Sequence, residues 1–256
     1  MTDDEVLTER DGAILVITLN RPKARNAVNS ALARGLAAAV DTLDADPELS
    51  VGVLTGAGGS FCSGMDLKAF LQGELPVVEG RGFAGITVTP PEKPVIAAVE
   101  GYALAGGCEI ALACDLIVAA RDAKFGLPET KRSLVAGAGG LFRLPQRIPR
   151  AIAMEYALTG EFFSAEDAHT WGLVNRVTDP GEALAGALEL ARKITQSGPL
   201  AVRATKKIVR DGGDWPADER WARQQEIMGP VMTSADAREG ALAFAEKRAP
   251  VWTGKW

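Results

Sequence analysis

The alternation of short apolar runs with longer amphipathic segments is the feature that most limits the folds open to this chain. Four runs of apolar, often β-branched residues are typical of buried strands. They lie at residues 13–19, 51–55, 95–99 and 116–119, and a shorter strand is expected near 172–177. Strands that alternate with helices predict an α/β core.

Helical periodicity fills the intervals between these strands. Asn29 or Ser30 can cap the first helix, which residues 46–47 (Asp-Pro) end. Residues 164–167 resemble another capped start. From about Glu182 the pattern is helical to the end of the chain. Breaks are expected where Gly precedes Pro or Gly, at residues 198–199, 212–213 and 229–230. The sequence therefore predicts a helical extension on the α/β core.

Size and charge exclude several classes of protein. The chain has 256 residues, enough for a sizeable apolar interior, and 28 basic against 33 acidic side chains leave a formal net charge of −5. No run of Lys or Arg occurs, so we expect neither a nucleic acid nor a membrane as partner. The polar N-terminus is unlike a targeting peptide and the apolar runs are too short to span a bilayer. We expect a soluble, cytoplasmic protein.

Side chains for metal or nucleophilic chemistry are scarce. The three cysteines form no CxxC pair, which argues against a disulfide scaffold or a zinc site. One histidine, His169, lies far along the chain from the glycine-rich segments, so a structural or surface role is favoured. The dinucleotide fingerprint is incomplete, because Phe61 and Phe142 stand where its third glycine is needed. We expect no metal and no nucleotide cofactor. The cysteines are Cys62, Cys108 and Cys114.

Two glycine-rich segments lie at strand-to-helix junctions, at residues 58–67 and 99–109. Bare backbone N–H groups at a helix start, aided by the helix dipole, can hold negative charge that develops on an oxygen. Two junctions could supply two donors to one oxygen. Glycines that only satisfy tight turns and close packing would give the same pattern.

Two glutamates are the candidate acid–base groups. Glu109 lies in the first turn of a very apolar helix, where a buried carboxylate is costly unless it is paired or used. Glu129 directly follows Pro128, at the start of a turn or helix. Compensation of a helix dipole and helix capping are the alternative roles. A catalytic pair is favoured if both carboxylates point at one site, since two carboxylates can divide acid and base work.

Residues 93–115 (KPVIAAVEGYALAGGCEIALACD) strongly resemble the enoyl-CoA hydratase (crotonase) family. Further segments resemble it in order along nearly the whole chain. They are residues 19–22, 26–27, 61–67, 125–129, 137–140, 143–145, 165–167, 171–174, 238–240 and 244–248. The resemblance implies a right-handed spiral of repeated ββα units over residues 1–196. It also implies that the helices of residues 197–256 help to assemble a homotrimer or homohexamer.

The resemblance also implies roles for named residues. The backbone N–H groups of Met65 and Gly106 would form an oxyanion hole for an acyl-CoA thioester carbonyl, whose close approach leaves no room for a side chain at position 106. Glu109 and Glu129 stand where hydratases carry their catalytic pair. The residues implied to line the substrate and coenzyme A site are Lys23, Arg25, Ala27, Ser63, Asp66, Leu67 and Lys68.

Both glutamates together favour hydration of a 2-enoyl-CoA thioester to 3-hydroxyacyl-CoA, in fatty-acid metabolism such as β-oxidation. Glu109 would be the general base that activates water, and Glu129 the general acid that protonates the α-carbon. No cofactor is expected, because coenzyme A enters as part of the substrate.

Three alternatives remain. Residues 140–145, 148–149 and 171–177 resemble the carnitinyl-CoA dehydratase branch of the same family. A non-catalytic acyl-CoA binding protein is disfavoured, because a binder gains nothing from two carboxylates that face an uncharged alkene. A nicotinamide-dependent dehydrogenase is disfavoured by the missing fingerprint glycines.

Overall fold

A six-stranded sheet forms the centre of the fold in the computed structural model, which describes residues 4–255. The first two strands are antiparallel and every other neighbouring pair is parallel. Parallel strands are buried on both faces, which explains why the sequence runs are almost continuously apolar. In spatial order the strands are β1 (Val6–Asp11), β2 (Ile14–Leu19), β3 (Val51–Gly56), β6 (Val95–Val99), β8 (Leu116–Ala120) and β11 (Arg176–Thr178).

A smaller, three-stranded sheet lies between the strands of the main sheet and the helices in chain order. Its strands are β7 (Tyr102–Leu104), β9 (Lys124–Gly126) and β10 (Phe163–Ser164), and a separate hairpin consists of β4 (Val77–Val78) and β5 (Gly82–Phe83). β7 and β9 are parallel, and each directly follows a strand of the main sheet. After β3, too, the chain pairs with the smaller sheet, through an isolated parallel bridge between Cys62 and Ala103 of β7. The predicted α/β fold of repeated ββα units is confirmed.

The helices cover the sheets and extend beyond them. Asn29 caps the first helix by accepting a hydrogen bond from the Leu32 amide, as its position predicts. Two 3₁₀ turns lie at Pro22–Ala24 and Pro128–Arg132. The helices are α1 (Ser30–Ala45), α2 (Leu67–Leu71), α3 (Gly106–Ala113), α4 (Gly140–Arg147), α5 (Arg150–Thr159), α6 (Ala165–Thr170), α7 (Ala183–Thr195), α8 (Pro199–Asp211), α9 (Arg220–Met232) and α10 (Ala235–Glu246).

The short strands β4, β5, β7, β9 and β10 were not predicted individually, and two further local features differ from the sequence prediction. β1 was not predicted because it is an exposed edge strand of mostly polar residues, joined to β2 through Gly12 at φ +58°. The helix break expected at residues 229–230 is wrong, since α9 runs through Pro230. The boundary is set instead by Ser234, whose hydroxyl accepts from the Ala237 amide and caps α10.

The ammonium of Lys206 links the helical extension to the main sheet. The Lys206 ammonium on α8 donates to the Asp115 carboxylate at 2.7 Å and to the Lys93 carbonyl at 2.9 Å. Asp115 also accepts from the amide of Val95, the first residue of β6.

Residues 1–3 and 256, which belong to the predicted regions 1–196 and 197–256, lie outside the described residues. None of the helices within residues 4–255 has the length and hydropathy needed to cross a bilayer.

Candidate active site

Helix α3 begins where two stretches of backbone are in direct contact. A β-carbon on Gly107 would overlap the carbonyl oxygen of Cys62, so only glycine fits there. Ala105, which precedes the helix, has φ +50° and ψ −127°, a conformation that residues with a β-carbon rarely adopt. The start of α3 is therefore pressed against the segment that follows β3.

Gly64 places the backbone amide of the next residue, Met65, close to the backbone amide of Gly106. Its φ is +100°, and a β-carbon built on it would lie 3.2 Å from the Gly106 nitrogen. Met65 follows and is held by an isolated bridge to Val28. Among the hydrogen bonds of residues 4–255, none has the amide of Met65 or of Gly106 as its donor. Two N–H groups on adjacent segments are thus free to donate to an acceptor from outside the protein.

The ring of Phe83 lies over Gly106. A β-carbon on Gly106 would fall 2.5 Å from two ring carbons, so the Phe83 ring would have to shift to admit a side chain at this position. The Thr87 hydroxyl donates to the Phe83 carbonyl at 3.2 Å and fixes the local turn. Because Phe83 and Gly106 are distant in sequence, no local pattern predicts the contact between them.

Glu109 is the charged residue of α3, and only 3% of its surface is exposed. Its Oε1 accepts hydrogen bonds from the amides of Ala138 at 2.7 Å and Gly140 at 2.9 Å. Burial raises the pKa of this carboxyl, while the Gly140 and Ala138 amides and the positive charge of Arg143 oppose the rise. The carboxylate is thus held by the glycine-rich segment that leads into α4, and one of its two donors is the first amide of that helix.

Glu129 lies in the 3₁₀ turn after Pro128, and the described part of the chain offers no hydrogen-bond partner to its buried Oε2. Burial raises the pKa of this carboxyl to about 7, and the negative charge of Glu109 adds to the rise. The structure therefore brings the two glutamates within electrostatic reach of each other. Carboxyls with separated pKa values are suited to opposite proton-transfer roles.

An apolar cavity of about 600 Å³ adjoins Glu129. This volume is typical of small-molecule sites. Phe142 is the aromatic residue among its lining, and the Arg143 guanidinium lies over that ring, 5.2 Å from its centroid. Arg150 also lines the cavity. The aliphatic lining residues are Leu127, Val135, Ala136, Leu141, Leu144, Pro145, Ala153, Met154, Ala157 and Leu158.

The predicted coenzyme A residues fall on two loops that the structure joins. The Ser63 amide donates to the Arg25 carbonyl at 3.0 Å, and the Arg25 guanidinium lies 5.7 Å from the ring centroid of Tyr102. Ala27 is buried, and Asn26 beside it donates to the Ser60 carbonyl at 2.6 Å. The exposed ones among the predicted residues are Lys23, Arg25, Leu67 and Lys68.

Asp66 has a structural role in the same region. Its carboxylate caps α2 by accepting from the amides of Lys68 and Ala69, and it pairs with Arg21 at 3.0 Å. Burial alone would raise the pKa of Asp66, but the hydrogen bonds from Arg21 and the two amides outweigh it and lower the pKa. The side chain of Asp66 is therefore already held by hydrogen bonds within the protein.

His169 is exposed, and its Nδ1 lies 2.8 Å from the Val174 carbonyl oxygen, a contact within the α6–β11 connection. This fits the structural role that the sequence favours. Within residues 4–255, no group of three or more His, Cys, Asp or Glu side chains is arranged to hold a metal ion.

Comparison with known proteins gives one family and two kinds of relative. The family described as enoyl-CoA hydratase/isomerase matches residues 9–255. The carnitinyl-CoA dehydratase of Salmonella typhi is 47% identical over 254 residues, which are 96% of this chain and 97% of that protein. The crystal structure of an enoyl-CoA hydratase from Mycobacterium tuberculosis H37Rv is 64% identical, with a TM-score of 0.97 over 99% of this chain and 100% of the other. A carnitinyl-CoA hydratase from Mycobacterium avium is 45% identical, with a TM-score of 0.80 over 98% and 99%.

The raised pKa of Glu129 predicts a pH-dependent effect on stability. The native carboxyl keeps its proton up to about pH 7, whereas the unfolded one loses it near 4.5, so native stability falls as pH rises between these values. Glu129→Gln removes the buried charge and should raise Tm more at pH 8 than at pH 5. Thermal unfolding at both pH values checks this, with Glu189→Gln on the exposed face of α7 as control. An equal change in Tm at the two pH values would contradict it.

Proposed function

The chain belongs to the enoyl-CoA hydratase/isomerase family, and from that premise we propose that it is a hydro-lyase. It adds water reversibly to the double bond of a 2-enoyl-CoA thioester and gives a 3-hydroxyacyl-CoA. The observation that carries the proposal is the convergence of Glu109 and Glu129 beside the free amides at the start of α3. A hydration site needs both a base for water and an acid for carbon.

The Met65 and Gly106 amides polarise the thioester carbonyl in this proposal. Attack on the β-carbon moves negative charge onto the carbonyl oxygen, where fixed donors gain strength as the charge develops. Removal of one such donor typically costs about 3–4 kcal/mol of transition-state stabilisation. The dipole of α3 adds to the effect because its positive end lies at Gly106.

Proton transfer is divided between the two carboxyls. Glu109, whose ionised form is favoured by two amides and Arg143 against the effect of burial, takes a proton from the attacking water. Glu129, whose pKa of about 7 keeps much of it protonated near neutral pH, delivers a proton to the α-carbon. Hydration then requires Glu109 ionised and Glu129 protonated, so kcat/KM should fall on both sides of an optimum pH.

Coenzyme A binding and assembly complete the proposal. The joined loops would hold the coenzyme A portion, with Lys23, Arg25 and Lys68 as candidate phosphate or adenine contacts. The helices of residues 197–256 would form a homotrimer or homohexamer. Large apolar side chains exposed on α9 and α10, Trp221 and Phe244 among them, support an interface there.

A carnitinyl-CoA dehydratase-like activity is the second candidate, favoured by the names of the relatives at 47% and 45% identity. A carnitinyl acyl group carries a quaternary ammonium, which proteins usually bind against open aromatic faces. In the cavity beside Glu129, Phe142 is 61% exposed, but the Arg143 guanidinium lies over its ring and Arg150 adds a second positive charge. This lining supports an uncharged acyl group.

Hydration of crotonyl-CoA, followed by loss of the conjugated-thioester absorbance, tests the proposal. We expect turnover by the parent and a loss of at least about a hundredfold in Glu109→Gln and Glu129→Gln, the usual scale for one acid–base group. Gln at position 109 keeps an oxygen that can accept from both amides, so the loop should survive. Glu189→Gln is the control. A parent that binds crotonyl-CoA without turnover would instead indicate an acyl-CoA binding protein.

The lining of the cavity predicts the preferred acyl group. With equal concentrations of crotonyl-CoA, trans-2-hexenoyl-CoA and crotonobetainyl-CoA, we expect the two uncharged thioesters to have kcat/KM at least about tenfold higher. The physical reason is the repulsion of the quaternary ammonium by the positive charges of Arg143 and Arg150. A higher kcat/KM for crotonobetainyl-CoA would favour the second candidate.

A further inference from the structure

Arg143 connects two parts of the site that are distant in sequence. One arm of its guanidinium donates from Nη1 to the Ala138 carbonyl at 3.1 Å. Ala138 belongs to the loop whose amides hold Glu109, and its own amide makes the shorter of the two bonds to that carboxylate. The first arm of Arg143 therefore fixes the loop that orients Glu109.

The second arm reaches the opposite side of the site. Arg143 Nη2 donates to the carbonyl of Thr87, which is buried. The Thr87 hydroxyl in turn bonds to the carbonyl of Phe83, whose ring lies over Gly106. A planar fork can hold two carbonyls at once, which an ammonium on a flexible stem does poorly.

The charges around Glu109 come from several elements. Arg143 on α4 is the positive one, and Glu129 in the 3₁₀ turn is the negative one. Cys108 on α3 itself is buried, and burial raises the pKa of its thiol to about 12, so it carries no charge at neutral pH. β7 also packs against α3, and its titratable residue, Tyr102, lies against Arg25. Arg143 is thus the cation that favours the ionised form of Glu109.

We propose that Arg143 is a positioning residue, which holds the Glu109 loop and the Phe83 segment over Gly106 with one guanidinium and supplies a positive charge that favours the ionised form of Glu109. The inference rests on the proposed function for the roles of Glu109 and Gly106. It goes beyond that function in assigning the geometry and the charge of the site to a side chain other than the two carboxyls that transfer protons.

Two variants distinguish the effect of the two Arg143 hydrogen bonds from the effect of its charge. Arg143→Gln removes both, whereas Arg143→Lys keeps the charge and loses the fork. Arg121→Gln is the matched control, since Arg121 forms its ion pairs at the surface, with Glu166 and Asp179. For each protein, cooperative unfolding is checked first, and kcat/KM for crotonyl-CoA is then measured from pH 5 to 9.

In Arg143→Gln we expect kcat/KM to fall by about a hundredfold, the scale of a small misplacement of catalytic groups. The acid limb of its pH profile should move to higher pH, because the pKa of Glu109 rises when the nearby cation is lost. In Arg143→Lys the acid limb should return to that of the parent while kcat stays low. Arg121→Gln should match the parent.

An unmoved acid limb in Arg143→Gln, or a parental kcat/KM in Arg143→Lys, would overturn the inference while leaving the proposed function intact. A parent that hydrates no enoyl-CoA would reject the proposed function instead. In that case the carboxyl carbon of Glu109, labelled with ¹³C and assigned by its loss in Glu109→Gln, still tests the charge. Its titration midpoint must be higher in Arg143→Gln than in the parent, and an equal midpoint overturns the inference.

Discussion

Direct contact between two backbone segments is the constraint on which the site depends. Gly107 packs on the Cys62 carbonyl, and Gly64 reaches the Gly106 nitrogen, so no side chain separates the start of α3 from the segment after β3. This contact leaves the Met65 and Gly106 amides on adjacent segments without acceptors of their own. The contact also places Ala105 in a strained backbone conformation, which typically costs about 1–3 kcal/mol. The rest of the fold supplies the rigidity that holds this arrangement.

The placement of charge follows from the same geometry. Because α3 starts at the contact and is otherwise apolar, Glu109 in its first turn is carried into the interior and needs the Ala138 and Gly140 amides. Glu129 lacks such partners at Oε2 and keeps its proton to higher pH. Two carboxyls of one chemical type are thereby given different hydrogen-bond partners, while burial raises the pKa of both. A protein that buries both gives up stability for the ability to move protons.

The sequence predicted those parts of the fold that depend on local pattern. The strand at residues 95–99 and the helix capped by Asn29 match the structure, because buried strands and capped amphipathic helices leave periodic signals. The positions of Met65, Gly106 and both glutamates came from the family resemblance, and their convergence required the fold. The contacts of Phe83 with Gly106 and of Arg143 with Thr87 were not predicted, because they join segments distant in sequence. Such contacts leave no periodic signal.

Polarisation of the thioester carbonyl is the central claim, and it can be measured without turnover. A conjugated 2,4-hexadienoyl-CoA is titrated with Glu109→Gln, which keeps the Met65 and Gly106 amides but lacks the base. If both amides bind the carbonyl oxygen, electron density shifts toward that oxygen. The absorbance maximum of the bound thioester then moves to longer wavelength than that of the free one. Saturable binding with an unshifted absorbance maximum would contradict the account.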